Sequence, residues 1–349
     1  MRSMQVVRFG APLEPVESQA PVPTGTEVLI EVKACGVCHS DLHYWQGGYD
    51  LGDGKRFTLQ ERGIHLPIVL GHESFGEVVG VGPEAGLEIG TTRLVYPWIG
   101  CGECSRCVAG RDIDCLRMRT IGLFRPGGYS THVLVPHPRY LLNVDGIPDI
   151  YASTLACAGV TALSALKKVN LPYEDDALAL IGAGGVGLTA LGLAKVIFDR
   201  PILVADKDEA KLEVATRHGA THVIRTGEIR TRRKILKLTG GGAGTVIDFV
   251  GSPETAQLGM ETIRKGGRYI AIGLYGGSFK VPLAMLALRN VAMVGSLTGT
   301  VEETQEVIDL VRGSSVPPVP VTTRPLDEAN EALEELQSGG VVGRTVLVP

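Results

Sequence analysis

The stretch Leu178-Ala-Leu-Ile181-Gly182-Ala-Gly184-Gly185-Val186-Gly187 decides the fold of this chain. An uncharged apolar run, which predicts a buried strand, leads into a G-x-G-x-x-G loop and then into the helix-like segment Leu188–Ile197. Asp206 ends the next apolar run about 20 residues after the loop, as a dinucleotide-binding fingerprint requires. Strand, glycine loop, helix and acid together predict a nucleotide-binding βαβ unit. A turn needed only for packing is the alternative interpretation of the glycines.

Around this stretch, apolar strand-like runs alternate with charged, helix-periodic segments from Leu171 to about Gly295. Such alternation predicts a doubly wound parallel sheet of six strands, and hence an α/β fold. The candidate strands are Ala177–Ile181, Ile202–Ala205, His222–Ile224, Val246–Val250, Arg268–Ile272 and Val291–Val294. The uncharged run from Ala177 to Ala194 is long enough for a membrane helix, but its internal glycines favour a strand that turns into a helix.

The segments on either side of this region have a different pattern. Before it, short β-rich runs such as Glu27–Val32 and Phe75–Val81 predict a mostly β domain. After it, helices near Glu302–Val311 and Leu326–Gln337 and a strand at Thr345–Val348 have no place in a six-stranded sheet. We expect this tail to return to the first domain.

Composition and charge exclude several classes of function. The 349 residues, 44% hydrophobic and 21% charged, suffice for two globular domains. A net charge of -4 argues against nucleic acid as a partner, since nucleic-acid binders carry a basic surplus. The first ten residues contain no long apolar run before a small-residue cleavage site, so we expect a cytoplasmic protein with reduced thiols and no membrane partner.

Four closely spaced cysteines predict a structural zinc site. They are Cys101, Cys104, Cys107 and Cys115. Four thiolates fill the tetrahedral shell of Zn²⁺ and leave no position for water or substrate. Two disulfides, or four thiols in the core, are the alternatives, but clustered cysteines in a chain that is not exported favour a metal.

Three further residues are candidates for a second, open zinc site. Cys38, His72 and Cys157 would supply three protein ligands and leave a fourth position for substrate, the arrangement of catalytic zinc. Cys157 precedes a helix-like segment, so we expect it at a helix start, where the helix dipole favours the thiolate. The wide spacing of the three residues does not prove the site.

The glycine loop also indicates which cofactor is bound. Its glycines let the backbone approach a pyrophosphate at the helix N-terminus. Asp206 would accept hydrogen bonds from the adenosine ribose and would repel a 2′-phosphate, which favours NAD over NADP. The neighbouring Lys207 weakens this preference slightly.

Over essentially its full length the chain resembles the zinc-dependent medium-chain alcohol dehydrogenases, and most closely the tetrameric microbial members. The resemblance rests on Cys38-His-Ser-Asp-Leu-His43, Gly71-His-Glu73, the four-cysteine lobe, Cys157, the glycine loop with Asp206, and Gly343-Arg344. It implies two zinc ions per chain, with Cys38, His72 and Cys157 on the catalytic ion and Glu73 as a nearby carboxylate. It also implies a GroES-like catalytic domain, residues 1–157 and 297–349, around a Rossmann domain, residues 158–296.

The same resemblance assigns further roles. Ser40 would take the alcohol proton and pass it through the nicotinamide ribose to His43, which faces solvent. His39 and Arg344 would lie near the pyrophosphate and Lys211 near the adenosine ribose, although ordinary solvated residues are the alternative for His39 and Lys211. Trp98 and Leu297 would line the substrate pocket, although core packing is the commoner role of such residues. A homotetramer is favoured over a dimer.

The implied reaction is reversible hydride transfer between a primary or secondary alcohol and NAD, giving an aldehyde or ketone. A polyol dehydrogenase, which usually has a carboxylate among or near its ligands, is the closest rival. A zinc-free reductase would lack the ligand cysteines, and a zinc-ribbon module joined to a nucleotide sensor would lack the open metal site. The polar stretch from Gln46 to His65, longer than in many relatives, is expected to form a loop bordering the substrate entrance.

Overall fold

Two large β-sheets organise the chain in a computed structural model, which describes residues 1–314 and 316–349. In chain order the strands are β1 (Arg2–Val6), β2 (Glu14–Glu17), β3 (Val28–Val37), β4 (Gly48–Gly52), β5 (Lys55–Thr58), β6 (Ile68–Val69), β7 (Glu73–Val81), β8 (Thr92–Val95), β9 (His132–Val135), β10 (Leu141–Leu142), β11 (Leu178–Ile181), β12 (Ile202–Asp206), β13 (His222–Arg225), β14 (Ala243–Asp248), β15 (Ile263–Ala271), β16 (Ala292–Gly295), β17 (Val321–Pro325) and β18 (Arg344–Val348).

The helices lie mostly in the second half of the chain. They are α1 (His39–Trp45), α2 (Ser105–Val108), α3 (Asp149–Thr154), α4 (Val160–Leu166), α5 (Gly185–Ile197), α6 (Glu209–Arg217), α7 (Thr231–Leu238), α8 (Pro253–Thr262), α9 (Leu283–Arg289), α10 (Val301–Gly313) and α11 (Ala329–Ser338). A π-helical stretch, Leu155–Gly159, joins α3 to α4. Single 3-10 turns occur at Gln60–Arg62, Asp112–Asp114, Pro138–Tyr140 and Leu326–Glu328.

The six-stranded sheet confirms the predicted doubly wound fold. Its order is β13-β12-β11-β14-β15-β16, and every pairing in it is parallel. Counted within this sheet the order is 3-2-1-4-5-6, the arrangement that binds a dinucleotide where the strand order reverses. All four residues of β11 are buried, because helices cover both faces of a parallel sheet. The glycine loop therefore follows the central strand.

The tail returns to the first part of the chain, as expected. β18 pairs antiparallel with β3 and parallel with β17, so it lies inside the sheet β10-β8-β7-β3-β18-β17. The α/β fold class, a mostly β domain beside a doubly wound sheet, is confirmed. The division at residues 157/158 and 296/297 stays a prediction.

The expected helix start at Cys157 is wrong. The chain is helical from Asp149, and Cys157 lies in the middle of the π-helical stretch between α3 and α4. A π turn carries one extra residue per turn, which turns a side chain away from its α-helical direction and is common at functional sites. The helix dipole therefore cannot explain ionisation of this thiol.

One helix, Asp149–Leu166, is long and apolar enough to cross a membrane, but 89% of it is buried inside the molecule, as in the core helix of a globular protein. The segment from residue 46 to residue 65 is more ordered than a loop. Its β4 and β5 form an antiparallel hairpin that packs against residues 275–278, close to the six-stranded sheet.

Candidate active site

The four cysteines of the 101–115 segment converge in a single small lobe. Their Sγ atoms form contacts of 3.5 Å (Cys104 to Cys107), 3.8 Å (Cys104 to Cys115) and 3.9 Å (Cys101 to Cys107). Four thiolates at about 2.3 Å from one tetrahedral ion are separated by about 3.8 Å. The backbone amides of Glu103 and Cys104 lower the pKa of Cys101 to about 6, which favours the thiolate that binds metal. The cysteine lobe fits a zinc ion.

A second cluster brings together residues from three distant segments. One ligand atom each from Cys38, His72, Glu73 and Cys157 lies within 4.8 Å of the others, and all four residues are buried. Cys38 caps α1, His72 and Glu73 lie at the start of β7, and the π-helical stretch supplies Cys157. The distance between the Sγ atoms of Cys38 and Cys157 is 4.0 Å, which again suits one tetrahedral ion. We call this group the central cluster.

Electrostatics prepare the central cluster for a cation. The hydrogen bond from the Cys157 thiol holds the pKa of Cys38 well below its ordinary value, against the effect of burial. Asp41 Oδ1 lies 3.3 Å from His72 Nδ1, which leaves Nε2 as the nitrogen available to a metal. Asp41 also accepts hydrogen bonds from the amides of Cys38 and Gly71, at 2.9 and 3.2 Å, so its position is fixed by backbone.

Glu73 and Arg344 form a buried ion pair beside these ligands. Arg344 Nη2 donates to Glu73 Oε1, and the two side chains are 6% and 0% exposed. Burial raises the pKa of Glu73 to about 7, although the charge of Arg344 opposes this rise. Glu73 Oε2 and Arg344 Nε have no hydrogen-bond partner among the described residues, so each side chain keeps one polar atom free. Arg344 therefore contacts the central cluster through Glu73 and keeps one donor atom free for a neighbouring group.

The glycine loop is the neighbour of Arg344. A Cβ atom on Gly185 would lie 2.2 Å from Arg344 Cδ, so only glycine lets the arginine pass this close. Gly182 has a positive φ of 97°, and a Cβ on Gly187 would lie 1.9 Å from the carbonyl oxygen of Gly182. No atom of residues 1–314 and 316–349 lies within 4 Å of the corresponding position on Gly184, so the loop is open on that side. This cradle fits a pyrophosphate at the start of α5, between Gly184, Gly185 and Val186.

The residues predicted for the adenosine end lie nearby, but they have other partners as well. Asp206 ends β12, and its carboxylate accepts from the amides of Ala183, at 2.6 Å, and Asp208, at 2.9 Å. A carboxylate has about four acceptor positions, so capacity for ribose hydroxyls remains. Lys211 Nζ donates to the carbonyl oxygen of Gly339 at 3.1 Å, a contact it would give up to reach a ribose.

The residues predicted for the proton path lie on α1, directly after Cys38, and of the two predicted pocket residues only Trp98 lies against a residue of the central cluster. Ser40 and His43 lie one turn apart on α1, and the His43 ring packs on Tyr49 of the hairpin with centroids 4.7 Å apart. His39 is exposed at the start of the same helix. The Trp98 ring is buried 6.2 Å from the ring of His72. Leu297, two residues beyond β16, is 60% exposed.

Two family models match the chain. A family model described as "Alcohol dehydrogenase GroES-like domain" matches residues 24–146, and one described as "Zinc-binding dehydrogenase" matches residues 185–313. An NAD-dependent alcohol dehydrogenase of Sulfurisphaera tokodaii is 36% identical over 100% of both chains.

The chain belongs to the zinc-dependent medium-chain alcohol dehydrogenase family. The predicted resemblance, including the GroES-like domain, is thereby confirmed, and membership makes the chain a zinc-binding oxidoreductase. The crystal structure of the alcohol dehydrogenase from Aeropyrum pernix, 31% identical, superposes over all of both chains with a TM-score of 0.89. A D-arabinose 1-dehydrogenase (NADP⁺) of Saccharolobus solfataricus is 29% identical over 98% of this chain and 96% of its own.

Three structural features near the candidate site residues of this alcohol dehydrogenase-family chain are absent from the sequence predictions. Asp41 was visible in the Cys38–His43 run, and its place three residues after a cysteine is a capping-box signal. Thr161, one helical turn after Cys157, has a buried hydroxyl without a partner among residues 1–314 and 316–349. The Glu73–Arg344 pair joins residues 271 positions apart, and no local pattern reveals it.

Proposed function

We propose that this chain catalyses the reversible oxidation of a primary or secondary alcohol to an aldehyde or ketone, with NAD as the hydride acceptor. The observation that carries the proposal is the central cluster, built from three distant segments and joined through Arg344 to the glycine loop. In this proposal Arg344, at the start of β18, connects the metal site to the nucleotide site. The NAD-dependent relatives support the choice of reaction.

In this proposal Cys38, His72 and Cys157 hold the catalytic zinc, and Cys101, Cys104, Cys107 and Cys115 hold the structural zinc. A zinc ion in the open site supplies Lewis-acid polarisation of the alcohol oxygen, and NAD supplies the hydride acceptor. Glu73 lies beside the zinc ligands and has one carboxylate oxygen, Oε2, without a hydrogen-bond partner among the described residues. Trp98 and Leu297 form walls of the substrate pocket.

The chain's residues then remove the alcohol proton. Ser40 Oγ accepts the proton from the substrate hydroxyl as it releases its own hydroxyl proton, and a ring nitrogen of His43 is the final acceptor near the protein surface. Burial, together with the charge of His39, lowers the pKa of His43, so its ring is neutral and can accept a proton near neutral pH. Tyr49 covers one side of that ring and limits its orientation.

Preference for NAD rests on Asp206. The two backbone amides that hold its carboxylate at the end of β12 keep a negative charge where a 2′-phosphate would have to lie. His39 and Arg344 face the pyrophosphate in this arrangement, and Lys211 turns from Gly339 to the ribose when the nucleotide binds.

Metal content and turnover test the proposal together. Cys38→Ser should leave about one zinc ion per chain instead of two, and it should lower NAD-linked alcohol oxidation by roughly 10³-fold, because Lewis-acid stabilisation contributes several kcal/mol. Cys35→Ser is the matched control, since the Cys35 thiol is buried three residues away but lies outside the central cluster. Full activity in the Cys38 variant, or no alcohol oxidation by the wild-type chain, would refute the proposal.

A polyol or sugar dehydrogenase is the second candidate. The Glu73 carboxylate lies inside the central cluster, and one relative at 29% identity is named a D-arabinose dehydrogenase. The ion pair with Arg344 favours the simple alcohol, because it draws one carboxylate oxygen away from the ligands. Rates for primary, secondary, cyclic and polyhydric alcohols with NAD and NADP, followed by nicotinamide absorbance, separate the two.

We further propose a homo-oligomer, a tetramer in preference to a dimer, that uses β16 as an interface. β16 is an edge strand of the six-stranded sheet, and α9 beside it buries none of its residues, with Leu283 and Leu288 79% and 70% exposed. Met293→Lys should reduce the mass in light scattering. Val223→Lys, on β13 at the opposite edge, should leave the mass unchanged.

Two remaining points are proposals of the same kind. A cytoplasmic location is supported by seven free cysteines, six of them in the two metal clusters, which need a reducing compartment. We also propose that residues 1–157 and 297–349 form the catalytic domain around a nucleotide-binding domain of residues 158–296. The strand pairings support this division, since β17 and β18 join the first sheet.

A further inference from the structure

Tyr96 is a fully buried tyrosine that no step above uses. It follows β8, and its hydroxyl donates a 2.7 Å hydrogen bond to the carbonyl oxygen of Gly299, 203 residues further along the chain. Burial raises the pKa of this hydroxyl, so it stays a donor at any physiological pH. The bond crosses from the mostly β part of the molecule to the segment that leaves the six-stranded sheet.

The residues that Tyr96 holds form a strained turn. Thr298 has a φ of +38°, which is unusual for a residue with a side chain, and its buried hydroxyl has no partner in the described part of the chain. Leu297, a proposed wall of the substrate pocket, immediately precedes it. The turn lies just past the carboxyl end of β16, on the edge of the sheet where ligands bind in doubly wound folds.

Among the described residues, further supports of this turn come from β15, α4 and the start of α10. Ser296 donates its amide to the carbonyl oxygen of Ala271, and Thr300 caps α10 through a capping box with Glu303. Gly299 packs so closely on Val160 that a Cβ would lie 2.7 Å from its Cγ2 atom. Tyr96 therefore supplies the hydrogen bond that ties the turn to the opposite wall.

The ring of Tyr96 supports that opposite wall as well. It packs edge-on against Trp98 at 5.4 Å between centroids, and Trp98 in turn lies 6.2 Å from the ring of His72. The ring of Tyr140 is stacked on the ring of Tyr96, with centroids 6.1 Å apart. The Tyr140 hydroxyl donates a 2.8 Å hydrogen bond to Asp112 Oδ1 of the cysteine lobe. The Tyr96 side chain thus contacts Trp98 on one wall of the proposed pocket and the Gly299 carbonyl beside the other wall. Through Tyr140 it is also connected to the structural metal lobe.

We propose that Tyr96 is a positioning residue that sets the separation of Trp98 and Leu297, and hence the size of alcohol the pocket accepts. The inference rests on the proposed function, because it concerns the selectivity of that reaction. Tyr96 touches neither substrate nor metal in this scheme. It acts through the Gly299 carbonyl and the Trp98 ring.

Tyr96→Phe removes the hydroxyl and keeps the ring. We expect the ratio of kcat/KM for a bulky secondary alcohol to that for ethanol to change about fivefold, mainly through KM, as loss of one buried hydrogen bond allows. Tyr140→Phe is the matched control. It removes a buried hydroxyl from the stacked ring, and Asp112 retains Arg139 and the Gly100 amide as donors. We expect less than a twofold change in its ratio.

An unchanged ratio in Tyr96→Phe, or an equal change in Tyr140→Phe, overturns the inference. Amide hydrogen exchange separates its failure from that of the proposed function. If the wild-type chain oxidises no alcohol, the proposed function fails. The exchange rates of the amides from Leu297 to Thr300 then still test whether Tyr96 positions the turn. Exchange about fivefold faster in Tyr96→Phe than in Tyr140→Phe supports the positioning role, and equal exchange in the two variants overturns it.

Discussion

Single residues explain why the glycine loop can lie against the central cluster. Gly185 leaves room for Arg344, and Gly187 leaves room for the carbonyl oxygen of Gly182. The first contact crosses between the two sheets, and the second closes the loop on itself. The two glycines thus have structural roles before any nucleotide binds, whereas Gly184 faces open space.

Alanine substitutions can distinguish the structural role of Gly187 from the proposed nucleotide-binding role of Gly184. Gly187→Ala should lower the free energy of unfolding by about 1–3 kcal/mol, because its Cβ would meet backbone at 1.9 Å. Gly184→Ala should lower the free energy of unfolding by much less, since no atom of the described residues lies within 4 Å of its Cβ and only the N-cap of α5 is altered. It should nevertheless weaken NAD binding if the pyrophosphate lies on the loop. Urea unfolding and NAD titration measure the two effects. Equal stability of the two variants would contradict this assignment.

At the scale of elements, an ion pair ties the start of the six-stranded sheet together. Asp176, two residues before β11, receives Arg264 Nη2 from β15 at 2.8 Å and the amide of Tyr173 at 3.0 Å. Burial alone would raise the pKa of Asp176, but the hydrogen bonds from Arg264 and Tyr173 lower it below its ordinary value. The loop before the central strand is therefore fixed by charge.

This pair predicts a pH-dependent loss of stability. A folded-state pKa below the unfolded value stabilises the protein above the ordinary aspartate pKa, near 4, and the contribution disappears as pH falls through the lower folded value. Asp176→Asn should cost about 1–3 kcal/mol at pH 7, and the difference from wild type should shrink below about pH 4. Urea unfolding across this range is the measurement.

The control for this experiment is an exposed pair. Glu228→Gln breaks the contact with Lys234 on the surface, where both side chains are about half exposed, and should leave unfolding unchanged. A difference between wild type and Asp176→Asn that stays constant from pH 7 to acid would show that the carboxylate charge is not responsible.

At the scale of the whole molecule, the last strand joins the two ends of the chain. β18 lies between β3 and β17 and carries Arg344 into the site at its first residue. The tail thus completes a sheet that begins about 300 residues earlier, and the six-stranded sheet is inserted between its parts. Fold and site depend on the same five residues.

A truncation tests this dependence. Ending the chain after Gly343 removes β18, exposes the edges of β3 and β17, and leaves Glu73 buried without its cation. We expect little or no soluble protein from this variant, because unpaired edges aggregate and unpaired buried charges are strongly destabilising. Removing Pro349 alone, which lies outside β18, should have no effect on yield or circular dichroism. A soluble truncated chain that binds NAD would contradict this view.

The amino-acid sequence alone determined the doubly wound sheet, the mostly β first part and the cysteine lobe. These features depend on local patterns, since hydrophobic period, glycine spacing and cysteine spacing act over a few residues. Tertiary structure alone decided that Cys157 lies within a π-helical stretch, that Glu73 pairs with Arg344 and that Tyr96 holds Gly299. The Glu73–Arg344 and Tyr96–Gly299 contacts join residues 271 and 203 positions apart, so their partners are set by how distant segments pack. No local pattern in the sequence marks the π-helical stretch.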